Sequence, residues 1–442
     1  MKKALLSICT AGLTVLSALA DGTENDIQRI VDASVGGTAV IPPGRYEIAK
    51  SVILPSGTNL KLAGCHLRMK DGVFAMMFKS IGTENVTIDG GGTAILDGGE
   101  PNGLNEDTSR TGNFPHISNN LTFCFIGSRN LEVKGLEIRD HRWWAMMFTF
   151  CEKCRVSKIN FRLTRHRIDQ GKRLRNQDGI DIRKGCSDFV IEDISGETGD
   201  DVVAMTALSD AWVTKMFDVA GRSRDIHDIR VRRIRATSVG CSLVRILSHF
   251  GQRIYNIDIR DIVEMGGPGE TSPAQSAIRI GDRVPPYYRY KEENAQRFGD
   301  VSDIFIDGVR TRACAAIHTD DGVKNLTVKN VTLDRDGGSL WIVGGYTMIP
   351  MPFLYLPELE QQVKYQTFIR GYPSAWNIRR RDTVRLENVN FENLKAVSRP
   401  HFDEAVFRLA DAEFIKCSVR GVSVEGRRMT EVSNCRNLPE FK

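Results

Sequence analysis

Short segments with alternating apolar and polar residues recur along this chain, and each ends in a turn of polar residues or glycine. An alternation with a period of two indicates a β-strand with one buried face. The segments start roughly 22 to 50 residues apart, and no long helical pattern separates them. They include residues 85–88, 130–133, 154–156, 189–191, 226–231, 254–259, 304–306, 325–328, 384–386 and 414–416. The repeat predicts a solenoid of stacked coils and argues against a barrel of alternating strands and helices.

A solenoid must cover its first coil, because an open end exposes apolar interior and unpaired strand edges. Residues 26–31 form a short amphipathic pattern that Asn25 or Thr23 can cap, so we predict an N-terminal capping helix there. Residues 1–20 have a basic start, an apolar stretch and a small-residue cleavage pattern, which predicts a signal peptide. We therefore expect residues 21–442 to be one secreted or periplasmic domain of bacterial origin, without a membrane anchor after cleavage.

Composition limits the classes of partner. The formal net charge is only +5, from 60 Lys and Arg against 55 Asp and Glu, which gives no reason to expect nucleic-acid binding. The balance is compatible with an acidic polysaccharide. Nine cysteines remain after the predicted signal peptide, and we expect most to be buried small apolar residues. One disulfide, Cys417 with Cys435, is an open alternative.

Two acidic motifs carry the chemistry. Asp178 lies in Asn-Gln-Asp-Gly at 176–179, and Asp200 and Asp201 follow about 22 residues later. Each motif borders an alternating segment, so stacked coils would bring the carboxylates onto neighbouring strands about 4.8 Å apart. Like charges that close raise one another's pKa, and such a set can supply a general acid and a general base. For any single Asp, capping of turn amides is an equally good explanation.

Loop insertions are expected at residues 98–118, 165–175, 266–275, 283–299 and 346–381. The last is rich in Tyr and Pro, which is typical of the walls of sugar clefts because aromatic faces stack on sugars. The same rings can also serve only to pack the loop. Segments 283–299 and 346–381 are long enough to close one end of a groove, which favours attack at chain ends or on side chains.

Several motifs together resemble glycoside hydrolase family 28, the polygalacturonase family of the pectate-lyase-like β-helix superfamily. They are the opening coil at 36–46, the Gly-rich turn at 89–98, the run at 144–156, Asn-Gln-Asp at 176–178 and Gly-Asp-Asp at 199–201. The resemblance implies an all-β, right-handed parallel β-helix of roughly ten coils. It also implies an inverting hydrolysis of a pectin-like or other uronate-containing polysaccharide or oligosaccharide, carried out by a monomer without cofactor or metal.

The resemblance implies a role for each acidic residue. Asp200 would protonate the glycosidic oxygen, while Asp178 and Asp201 would hold and deprotonate the attacking water. Asn176 would contact the substrate in the same motif.

Two of the family's motifs are altered here. Cys241 stands where the family has a histidine, and a thiol cannot carry positive charge. Arg279 is retained, whereas Gly281 replaces the lysine that helps to hold a uronate carboxylate. Arg245 on the neighbouring coil can compensate, and His249 is a candidate for the missing imidazole, although a histidine without a role is the simpler explanation. Arg279 can alternatively pair with an Asp of the wall.

Two other functions fit the same residues. A calcium-dependent polysaccharide lyase would bind its ion through Asp178, Asp181, Asp200 and Asp201. A carbohydrate-binding β-helix with a degenerate site would explain the altered His and Lys positions, although a pure binding surface has little use for three adjacent carboxylates.

Overall fold

The computed structural model describes residues 20–164, 168–169, 172–173, 176–207, 217–239, 241–249, 251–265, 274–281, 296–335, 338–344, 383–397, 405–424 and 426–441. Nearly all regular structure in these residues is β-strand. The helices are α1 (Glu24–Ala33), α2 (Glu106–Arg110) and a short 3-10 helix (Ile117–Asn120). Among the described helices, none has the length and apolar character needed to span a membrane.

One sheet has twelve strands, and every neighbouring pair in it is parallel and consecutive along the solenoid. Its strands are Val52–Ile53, Phe78–Ile81, Phe123–Ile126, Met146–Thr149, Ile180–Arg183, Val203–Ala207, Ser242–Ser248, Ser276–Ile280, Ala315–Thr319, Ser339–Val343, Phe407–Ala410 and Thr430–Ser433. Twelve strands exceed the roughly ten coils expected, because the ten alternating segments begin after Val52–Ile53 and Phe78–Ile81 and end before Thr430–Ser433.

The second sheet has seventeen strands, which are also paired in parallel. They are Ala20–Thr23, Thr38–Val40, Gly44–Ile48, Asn59–Lys61, Cys65–Met69, Glu84–Asp97, Arg129–Arg139, Glu152–Arg162, Ser187–Thr198, Ile226–Ser238, Ile254–Glu264, Val301–Thr311, Val323–Asp334, Val384–Val397, Ala412–Ile415, Ser418–Val424 and Glu440–Phe441. A separate antiparallel pair joins Ile168–Asp169 and Lys172–Arg173. The predicted fold class, a right-handed parallel β-helix, is confirmed.

The long strands of the second sheet turn a corner at a residue in the left-handed region. In Ser187–Thr198 this residue is Asp193, with φ of 58°. Phe189 and Ile191 are buried before the corner and Ile194 is buried after it, so the inward-facing positions change from odd to even numbers. Asn and Asp tolerate a positive φ better than other non-glycine residues. Asn330 occupies the same place in Val323–Asp334, with φ of 54°.

The interior is one continuous apolar core from the first coil to the last. The capping helix closes its N-terminal end with Ile27 and Val31, both fully buried. Thr23 is the N-cap and forms a capping box with Asp26, so of the two expected caps the structure uses Thr23. Gln28 fixes the helix to the first coil by exchanging hydrogen bonds with the backbone of Ile53.

The cysteines in the described part of the chain are all free thiols. Cys417 and Cys435, considered above as a possible disulfide, are among them. Cys151, Cys154 and Cys186 are buried, as expected for small apolar core residues.

Candidate active site

The outer face of the twelve-stranded sheet aligns polar residues from successive coils. Asp181 pairs in register with Ala204 on the next coil, and Ala204 with Arg245. Arg245 in turn pairs with Arg279, and Arg279 with His318. The neighbouring positions on these strands, such as Ile180 and Val203, face the core. Because side chains alternate along a strand, every second residue of five consecutive coils reaches the same groove.

The three predicted catalytic carboxylates lie at the start of these strands. The backbone N–H of Asp201 donates to Asp178 Oδ1 at 3.0 Å and to Asp200 Oδ1 at 3.1 Å. Asp201 in turn accepts from the backbone N–H of Ser242 through Oδ1 at 2.9 Å, on the next coil. One backbone amide therefore ties two carboxylates together, and the coil stacking orients the third.

These carboxylates differ in their environments. Burial, together with the nearby Asp181, Asp200 and Asp201, raises the pKa of Asp178 well above its usual range. Burial raises the pKa of Asp201 to about 6, with Arg245 acting against the shift. Asp178 and Asp201 are buried, whereas Asp200 is half-buried. Asp200 is thus the most accessible of the three to a ligand in the groove.

Cys241 lies on the coil after the acidic pair. Its Sγ and one oxygen each of Asp200 and Asp201 all lie within 4.8 Å of one another, and Arg245 Nη1 donates to the sulfur at 3.5 Å. Burial and the two carboxylates raise the pKa of the thiol well above its usual range, so it is neutral and donates to Asp201. These three groups could hold a metal ion. A thiol is a soft ligand, however, and does not suit calcium, which takes oxygen ligands.

The two predicted substrate-binding arginines both have acidic partners. Arg279 donates to Asp320 Oδ2 from Nε at 2.9 Å and lies 2.8 Å from it through Nη2. Arg245 Nη1 lies 3.9 Å from Asp201 Oδ2. His318 Nε2 is 2.7 Å from the other oxygen of Asp320, and burial lowers the pKa of this imidazole. The alternative that Arg279 pairs with an Asp of the wall is therefore what the structure shows.

The remaining candidates have other surroundings. Asn176 donates to Glu106 in the short α2 helix, so its amide braces the loop 98–118. His249 is buried and follows Ser242–Ser248, which places roughly 25 Å of extended chain between it and Cys241. It cannot replace the imidazole there. Of the loops 283–299 and 346–381, expected to close one end of the groove, residues 283–295 and 346–381 lie outside the described residues.

An apolar cluster covers the N-terminal side of the groove. Trp143 and Trp144 stack with ring centroids 3.8 Å apart, and the Arg183 guanidinium lies 4.3 Å from the centre of the Trp144 ring. Arg183 also contacts Asp181 Oδ1 at 3.3 Å. The described loop 98–118 contributes Leu104 and Ile117 to this cluster. Both tryptophans are at most 4% exposed, so the cluster packs beneath Arg183 and offers no free ring face to a sugar.

The family described as glycosyl hydrolases family 28 matches residues 41–223. The predicted resemblance to that family is confirmed. The matched part contains Asp178, Asp200 and Asp201, and it ends before Cys241. It supports the prediction of a glycoside hydrolase, while the altered motifs lie beyond it.

Solved structures share the fold over nearly the whole chain. An endo-xylogalacturonan hydrolase from Aspergillus tubingensis has a TM-score of 0.54 and 15% identity, covering 95% of this chain and all of its own. A family 28 exopolygalacturonase of Yersinia enterocolitica has a TM-score of 0.54 at 11% identity, covering 96% of this chain and 79% of its own. A tailspike protein mutant of E. coli bacteriophage HK620 has the same TM-score at 12% identity, covering 93% and 70%. Identities this low establish the fold only.

The sequence patterns missed four residues that line the groove. Arg183 follows Asp181 by two positions on the same strand, a spacing that would have placed it on the same face. His318, Asp320 and Asp321 occur as His-Thr-Asp-Asp at the end of Ala315–Thr319, whereas the two acidic motifs precede their strands. Without the lengths of the intervening coils, however, nothing in the sequence places this end beside Arg279.

We expect Asp181→Asn to stabilise the protein at high pH. Burial, with Asp201 and Asp200 nearby and Arg183 acting against it, raises the pKa of Asp181 to about 8. The folded state therefore holds this proton more tightly than the unfolded chain, and the free energy of unfolding falls as pH rises from about 4 to about 8. Each pH unit in that window is worth about 1.4 kcal/mol for one proton. Asparagine removes the penalty.

Chemical denaturation at pH 4.5 and pH 8 measures this effect. The free energy of unfolding of the variant should exceed that of the parent protein at pH 8 but not at pH 4.5. Asp334→Asn, on the other sheet and paired with Arg310 at an exposed position, is the matched control and should shift neither value. Equal pH dependence in the Asp181→Asn variant and the parent would contradict a raised pKa at Asp181.

Proposed function

We propose that this protein is a secreted glycoside hydrolase that cleaves a glycosidic bond in a pectin-like polysaccharide or oligosaccharide. The observation that carries the proposal is the Asp178, Asp200 and Asp201 cluster, two of whose members share the backbone N–H of Asp201. The family 28 match over the residues that contain this cluster supports it. The signal peptide predicted from the sequence at residues 1–20 is the basis for the proposed export.

Asp200 is proposed as the general acid. Its carboxyl is the most accessible of the three, so it can reach the glycosidic oxygen and protonate it as the bond to the anomeric carbon breaks. Asp178 and Asp201 would hold a water molecule, take its proton and direct its oxygen to the anomeric carbon. Cys241 would position Asp201 through its thiol hydrogen bond.

Inversion at the anomeric carbon is part of the proposal, and the geometry makes it worth testing. Asp178 Oδ1 and Asp200 Oδ1 accept from one N–H, each at about 3 Å. These two oxygens are therefore closer than the ~6.5–9.5 Å that separates the carboxyl groups of most inverting enzymes. Retaining enzymes have the shorter separation of ~5–5.5 Å and use one carboxylate as a nucleophile.

Proton NMR of the first product formed from pectin by the purified protein tests both the hydrolysis and its stereochemical course. The anomer opposite to that of the cleaved bond is expected, before mutarotation mixes the two forms. The starting anomer would leave a hydrolase but reject inversion. An unsaturated sugar whose formation needs calcium would identify a lyase, and binding without any product would identify a non-catalytic carbohydrate-binding protein.

A further inference from the structure

We infer that the sugar bound beside the carboxylate cluster, over Arg245 and Arg279, is uncharged rather than a uronate. This inference rests on the proposed hydrolase function and specifies the substrate at its reacting position. An arginine in a sugar groove usually indicates recognition of a carboxylate. Here the contacts of the two arginines, and the residues around them, argue for the opposite.

Arg279 already has a carboxylate of the protein. Both Nε and Nη2 of its guanidinium lie within 2.9 Å of Asp320 Oδ2, and both side chains are at most 8% exposed. The second oxygen of Asp320 lies 2.7 Å from His318 Nε2. A substrate carboxylate would have to displace a buried carboxylate that already lies within 2.9 Å of two guanidinium nitrogens.

The other groove arginines follow the same pattern. Arg183 contacts Asp181 at 3.3 Å, and Arg245 lies 3.9 Å from Asp201. Over the described part of the groove, carboxyl groups outnumber guanidinium groups by six to three. The carboxyl groups are Asp178, Asp181, Asp200, Asp201, Asp320 and Asp321, and the guanidinium groups are Arg183, Arg245 and Arg279.

Position 281 cannot supply another cation. Gly281 has a backbone φ of +88°, a conformation that residues with a side chain rarely adopt. A Cβ at this position would lie 2.7 Å from the backbone nitrogen of Asp321 and 2.7 Å from its Oδ2. Asp321 therefore occupies the space that a longer side chain would need, and it adds a carboxyl group there.

A neutral sugar suits the groove surface around Arg245 and Arg279 better than a uronate does. Its hydroxyl groups can donate to the carboxylate oxygens and accept from the guanidinium groups without disturbing the internal ion pairs. A uronate carboxylate would have to compete with the protein's own carboxylates, such as Asp320, for these guanidinium groups, and like charges placed together across an interface suppress binding. In a pectic polymer the expected reacting sugar is thus a neutral residue, whatever the charge of the sugars further away.

The first test compares native pectin with the same pectin after chemical reduction of its carboxyl groups, which converts the uronates to neutral hexoses. The unmodified protein should release reducing ends from both, at rates within about tenfold. Cleavage of native pectin with loss of activity on the reduced polymer would overturn the inference and leave the hydrolase proposal intact. If the protein cleaves neither polymer and none of the other oligosaccharides that are tried, the result counts against the hydrolase proposal itself.

The second test uses Asp320→Asn, which frees Arg279 for an external carboxylate. Galacturonic acid should inhibit the unmodified protein weakly and the variant at least about tenfold more strongly, because a buried arginine without its partner favours any available anion. Asp261→Asn is the matched control. Asp261 pairs with Arg235 at 2.7 Å on the other sheet, and its loss should not alter inhibition. Strong inhibition of the unmodified protein, with no change in the variant, would overturn the inference even if Asp320→Asn alters stability.

Discussion

Asp200→Asn is expected to lower turnover on the cleaved glycan by about 100- to 10,000-fold, the usual contribution of one positioned proton transfer. Asparagine keeps the shape of the side chain, and its amide oxygen can still accept from the N–H of Asp201, which now donates at 3.1 Å. The fold should therefore be unchanged. Asp178→Asn and Asp201→Asn should cause comparable losses, because each removes a group that holds the attacking water.

Initial rates under saturating substrate, together with thermal melting curves, measure this prediction. Asp258→Asn, which removes a carboxylate paired with Arg260 on the other sheet, should retain full activity. Near-normal turnover by Asp200→Asn would reject this residue as the general acid. Loss of activity on addition of a chelator, with recovery in calcium, would instead move the lyase alternative to first place.

Trp341→Ala is expected to lower the free energy of unfolding by about 3–5 kcal/mol, the cost of removing a large buried ring and leaving a cavity. Trp341 is fully buried on Ser339–Val343, and its ring lies 4.3 Å from that of Phe391 and 5.8 Å from that of Phe414. Its Nε1 also donates to Thr319 Oγ1 at 3.1 Å. One side chain thus joins three coils across the interior.

Urea denaturation followed by circular dichroism gives this value. Trp341→Phe should lose less, because it keeps one aromatic ring and leaves a smaller cavity, although it also removes the hydrogen bond to Thr319. Val432→Ala, at a position 42% exposed on the last coil, is the control and should change stability by less than about 0.5 kcal/mol. A loss at Trp341→Ala no larger than in this control would mean that the ring is not part of the core that holds the coils together.

Much of the fold could be predicted because its signals are local. The alternation along residues 325–328 shows which side chains face inward, and Thr23 with Asp26 gives the start of the capping helix within four residues. The corners were harder to predict. Asp193 and Asn330 bend their strands by adopting a positive φ, and at Lys158 a lysine does the same with φ of 54°. No residue type marks that position in every coil, because the neighbouring coils impose the conformation.

The candidate site, too, could be predicted only in part from the sequence. The sequence alone identified Asp178, Asp200 and Asp201 as an acidic cluster on neighbouring coils, because only 23 residues separate Asp178 from Asp201 and no large insertion intervenes. It also identified Cys241 and Gly281 as departures from the family pattern. By itself, however, it could not show that Asp321 fills the space beside Gly281.

The stacked coils and the meeting of three carboxylates on one face could be predicted from the sequence, since strand alternation and closely spaced motifs depend on near neighbours in the chain. The contact of Arg279 with Asp320, 41 residues further on, follows only from the folded coils. The two residues are joined through a segment whose length no periodic pattern fixes. Stacking brings such distant residues together, and burial then sets their charges, as the raised pKa of Asp181 shows. The acidic cluster could therefore be predicted from the sequence, whereas the packing of the coils sets the charge that a substrate meets there.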